Sequence, residues 1–150
     1  MPMKNELSAQ FPEVDQEAVH TSLSDIESKL GFLISLDSDE AKQLAKMGSK
    51  SADFVHDALL TAREHTEILP NTFDLDEFGN DVTLYDALQS IQIRVNELAK
   101  KIDDTMTLIG SDCMYAALEV YGLINLAVKT NPSLKPTVDE LKKRFERRSR

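Results

Sequence analysis

Two short stretches place a carboxylate three residues before a histidine. Glu17 and His20 read E-x-x-H, and Asp53 and His56 read D-x-x-H. Paired motifs of this kind are half of a di-iron carboxylate site. Such a site also needs a glutamate from each of two further helices, with all the ligands projecting into one bundle. A metal-dependent bundle enzyme using His20, His56 and the nearby carboxylates is therefore the sharpest catalytic reading of this chain. The spacing argues against it. On a helix Glu17, His20, Ser24 and Glu27 share a polar face, with the apolar stripe Val19, Leu23, Ile26 partly turned away. Asp53, His56 and Arg63 likewise share the polar side of theirs. No carboxylate interrupts the apolar stripe of the longest periodic segment, so the remaining ligands have no source. Two solvated histidines are the plainer expectation, with no metal, cofactor or catalytic residue assigned.

Other reactive groups fare no better. Cys113 follows Ser111 and Asp112, but nothing basic lies within two turns to activate a thiolate. It falls on an apolar helical face and is expected as a small core residue. The Gly110-Ser111-Asp112 sequence follows a helix, not a strand, so it makes no nucleophile elbow. His65 is placed near a helix C-terminus, where a cationic ring is mildly favoured. The chain has no Gly-rich phosphate loop, no zinc-type Cys/His spacing and no basic-aromatic surface for single strands.

The elements that must position these residues are helical. The chain has 150 residues, 41% hydrophobic and 29% charged, with five glycines and five prolines falling at intervals. Residues 1–13 read as a flexible arm bearing Pro2 and Pro12. A first helix from about Asp15 carries the stripe Val19, Leu23, Ile26, Leu30, Leu33 at alternating spacings of 4 and 3. A short helix near 38–46 is opened by Asp37 and Glu40 at capping-box spacing and closed by Gly48. Ser49 then caps a helix with Phe54, Val55, Ala58, Leu59 and Ala62 on one face. Pro70 and Asn71 turn the chain, and residues 74–80 form a loop or single turn broken by Gly79. From Asp81, Leu84, Leu88, Ile91, Val95, Leu98, Ile102, Thr105 and Ile109 recur at 4, 3, 4, 3, 4, 3, 4. Four heptads of this kind make a helix of roughly 40 Å. Gly110 is expected to end it, with Ser111 and Asp112 capping a new helix to Thr130. Residues 131–136 are a linker, and Thr137 with Glu140 opens a short basic helix over 137–146. The predicted fold is all-α, an antiparallel up-and-down bundle of about four main helices. It is a single domain over 14–146, with short accessory helices and a basic tail at 147–150. Ile91, Val95, Leu98 and Ile102 are its expected core.

Three segments also resemble a family of small bacterial proteins: "KMGSKSADFVHDAL", "LPNTFDLDEF" and "DDTMTLIGSDCMYAALEVYGLIN". The likeness covers roughly Lys46 to Asn125 and returns weakly at "ELKKRF". Many family members end soon after the Arg-Phe that here is Arg144-Phe145, which makes "ERRSR" particular to this chain. The resemblance implies a bacterial cytoplasmic protein of helical type. It brings no activity and no site residue.

Charge and composition narrow the partners. The net charge is −9, but the last nine residues carry six Lys/Arg and one Glu, leaving 11 basic and 25 acidic side chains, or −14, in residues 1–141. An acidic body repels nucleic acid and anionic lipid, so nucleic acid is disfavoured as a partner. The basic end has an ordinary explanation in complementing a helix dipole, and a polyanion contact through the tail is the third alternative. No apolar run reaches the length of a membrane span, and the first residues lack the apolar region of a signal peptide. One cysteine allows no internal disulfide and suits a reducing cytoplasm. The expected function is a non-enzymatic structural or protein-interaction module. Over residues 111–130 the apolar arc spans about 180°, wider than one bundle face requires. Leu118 and Leu126 lie in or beside the opposite, polar arc. A homodimer with this helix near its interface is the expected assembly.

Overall fold

The computed structural model describes residues 7–147. It is 79% helical, with no strand among the described residues. Helix α1 spans Glu13–Lys29 and follows Pro12, with Glu13 and Asp15 in its positive first turn and Lys29 in its last. It stops before Gly31, so Leu33 lies beyond the helix whose stripe it was expected to extend. Helix α2, Ser38–Gln43, forms the expected capping box. Asp37 Oδ1 accepts from the Asp39 and Glu40 amides at 2.9 and 2.8 Å, and Glu40 Oε2 accepts from the Asp37 amide at 3.1 Å.

Helix α3 spans Ser49–Glu64. Its N-cap is Gly48, which the spacing had placed at the end of α2, and Ser49 is its first helical residue. After a 3₁₀ turn at Thr66–Ile68, the Phe73 amide bonds to the Pro70 carbonyl in the expected turn. Asp74 Oδ1 then accepts from the Glu77 amide at 2.9 Å. That contact starts helix α4 at Leu75, earlier than the sequence pattern placed it, and Gly79 lies inside the helix.

Helix α4 runs without interruption over Leu75–Ala127, 53 residues. The expected break at Gly110 does not occur. A single interior glycine costs a helix only about 1 kcal/mol relative to alanine, and good helix formers on both sides outweigh it. The two main helices expected over 81–109 and 111–130 are therefore one, and the four-helix antiparallel count does not hold within the chain. A 3₁₀ turn at Pro132–Leu134 leads into helix α5, Lys135–Arg147. Because α5 begins before Thr137, that residue is interior and the second capping box does not form.

The chain divides into two compact units, one of them Phe11–Glu97 and the other containing residues from Leu98 onward. In the first, Leu59 and Ala62 of α3 and Gly79 and Val82 of α4 are buried. Gly79 permits the close approach: a Cβ there would lie 2.7 Å from Arg63 Nη2 and 3.9 Å from Leu59 Cδ1. Phe73 and Phe78 meet edge to face, with ring centroids 6.1 Å apart. In the second unit Val138 is buried, and Tyr121 of α4 stacks on Phe145 of α5 at 5.9 Å.

Candidate interaction surface

His20 and Glu17 are both exposed on α1. His56 is not a freely solvated side chain. Its Nε2 lies 2.8 Å from Asp86 Oδ2 on α4, and its Nδ1 lies 2.6 Å from the Ala52 carbonyl oxygen. With the ring protonated, both nitrogens donate. The Asp86 bond, and after it the Ala52 bond, raise the imidazole above its usual range. The carboxylate that His56 uses is therefore Asp86, thirty residues away, and not Asp53 of the D-x-x-H motif. No sequence signal marks Asp86. Among the described residues no three metal-ligating side chains converge, so His20 and His56 are not brought into one donor set. His65 pairs locally with Glu67 at 3.0 Å. A second tie to α4 comes from Tyr85, whose hydroxyl donates to the Met47 carbonyl at 2.9 Å.

The larger feature of the Phe11–Glu97 unit is apolar. An open groove of about 790 Å³ lies between α1 and α4, its walls including Ile26, Leu30, Leu88, Ile91 and Val95. Around it the stripe expected to form the core is uncovered: Val95 is 50% exposed and Ile91 39%. The reason follows from the continuity of α4. With residues 75–127 in one helix, the antiparallel neighbour that was to cover this face is missing.

In the other unit the stripe continues outward-facing, with Leu98 at 56% and Ile102 at 52%. Val120, Leu123, Leu118 and Leu126 are also exposed, so the short helices do not cover the last two leucines. Cys113, expected in the core, is exposed as well. The half-buried residues of this stretch include Tyr121, Ile124, Asn125 and Val128, on the side where Phe145 stacks.

No helix among the described residues is long and apolar enough to cross a membrane.

Compared with known protein families, with characterised proteins and with solved structures, the chain matches none of them.

Proposed function

We propose that this protein is a non-enzymatic helical module whose working form is a homo-oligomer, a dimer in the simplest case, acting in the cytoplasm as a structural or protein-interaction element. The observation that carries the reading is the exposed apolar stripe of α4, from Ile91 through Ile109, with the α1 groove beside it. Monomeric proteins rarely expose contiguous apolar patches beyond a few hundred Å². This surface is wider than the 111–130 segment on which the sequence placed the interface. A bundle enzyme built on His20 and His56 is the alternative reading, and among the described residues no three metal-ligating side chains converge to favour it. Light scattering over a concentration series tests the reading. A dimer or higher oligomer at micromolar concentration is expected, and Val95→Glu with Leu98→Glu is expected to dissociate it. A folded wild-type monomer at hundreds of micromolar would refute it.

A further inference from the structure

We propose that a pocket formed by α3, the 3₁₀ turn and the start of α4 binds a small methylated ammonium ion, of the chemical class that choline represents. The inference does not depend on the oligomeric state and goes beyond the interaction surface described above.

The pocket holds about 440 Å³, a volume inside the range of about 300–1,000 Å³ typical of small-ligand sites. Its walls come from successive elements of the Phe11–Glu97 unit: Phe54 and Asp57 of α3, Ile68 of the 3₁₀ turn, Phe73 after the Pro70 turn and Phe78 of α4. Three of these side chains are aromatic rings. Phe73 and Phe78 stand at 88° to one another, with centroids 6.1 Å apart, so the two rings bound the pocket from two directions. Phe54 is 72% exposed, so core packing does not account for a ring at that position. The face of an aromatic ring carries negative potential. It attracts a cation held within about 6 Å of its centroid, and sets of such rings are a common way of binding quaternary ammonium groups.

The charge in the lining has the matching sign. Asp57 is the one ionisable side chain on the pocket wall. Among the described residues its carboxylate has no ion-pair or hydrogen-bond partner. The cations of α3 lie elsewhere on the helix. His56 and Arg63 fall on the opposite flank of Leu59, His56 against Asp86 and Arg63 against Gly79, and Lys50 is two turns back. Residues 11–97 hold 18 acidic and 6 basic side chains, a net −12, so the wider field also draws cations.

The same lining selects among cations. A metal ion or a primary ammonium needs several oxygen partners to replace its water. This pocket offers one carboxylate, and the hydroxyl of Thr61 is already donated to the Asp57 carbonyl at 2.8 Å. A methylated ammonium has no N–H to satisfy. Its methyl groups suit the apolar walls, and its spread charge suits three rings and a single carboxylate.

The test is a titration of the full chain with choline chloride, followed by amide NMR shifts and compared with sodium chloride at equal ionic strength. Saturable shifts at Ala58, Thr61 and Ile68 are expected, with a dissociation constant in the millimolar range. The neutral alcohol in which a tert-butyl group replaces the trimethylammonium group should bind several-fold more weakly. Phosphocholine should also bind more weakly than choline, because its phosphate meets the acidic surface; this marks a free cation and not a lipid headgroup as the ligand. Phe54→Leu and Asp57→Asn should each weaken choline binding by about two- to fivefold. Both side chains are exposed, so the thermal melt should not change. No saturable shift at these residues would overturn the site. Equal binding of the tert-butyl analogue, or unchanged affinity in both variants, would overturn the cation selectivity and leave only an apolar hollow. Phosphocholine binding as tightly as choline would overturn the assignment to a free cation.

Discussion

Leu98→Ala separates a stripe that faces water from one that faces a second chain. Truncating a fully buried leucine costs about 2–5 kcal/mol. Leu98 is 56% exposed in the single chain, so less than half of that loss, about 1–2 kcal/mol, is available if nothing else covers it. With a partner covering the remainder, each copy loses the full amount, and a dimer loses about 4–10 kcal/mol. The assay is urea unfolding followed by circular dichroism at 1 and 100 µM chain. When unfolding and dissociation are coupled, a hundredfold rise in concentration stabilises the dimer by about 2.7 kcal/mol, which moves the urea midpoint by on the order of 1 M. Val82→Ala is the control. Val82 is buried within its own chain, so its loss of about 1.5–2.5 kcal/mol per chain is independent of any partner. A wild-type midpoint that does not move with concentration, together with a Leu98→Ala loss under about 1 kcal/mol, would refute the argument.

Three further outcomes are expected. Gly110→Ala should stabilise the protein by about 0.5–1 kcal/mol in a denaturant melt, since a Cβ there meets nothing within 4 Å and the helix continues through it; destabilisation would point to a break in α4. The His56 contribution should depend on pH. Its folded pKa is raised, so its stabilisation is fully present below the usual value near 6.5 and is lost as pH rises through the folded value. The stability difference between wild type and His56→Ala should therefore shrink between pH 6 and pH 9, and an NMR titration at or below 6.5 would contradict the Asp86 pairing. Tyr85→Phe should cost about 0.5–1.5 kcal/mol through the lost bond to the Met47 carbonyl, read from the same melts, with no loss of helicity.

Local signals were legible, and long-range ones were not. The Asp37–Glu40 capping box and the Pro70 turn follow from interactions between residues a few positions apart. Gly110 misled because a glycine weighs the same on paper whether its helix ends or continues, and the balance depends on some fifty neighbours acting together. The heptads told which face of α4 is apolar. Periodicity carries no information about what covers that face, so Leu98 and Ile102 read as core yet lie exposed in the single chain. His56 shows the same limit at a candidate site. A motif three residues long nominated Asp53, while the fold supplied Asp86 from another helix.

The exposed apolar stripe of α4 has a kinetic consequence. Helix formation is local and takes on the order of a microsecond. Meeting a second copy is bimolecular. At a typical association rate of about 10⁶ M⁻¹s⁻¹ and 1 µM chain it takes about a second. On the dimer reading, a newly made chain spends roughly a million helix-forming times with its leucines and isoleucines uncovered. Those are conditions in which aggregation and chaperone capture compete with assembly. The rate of synthesis, through the local concentration of like chains, then governs how much of the product reaches its finished form.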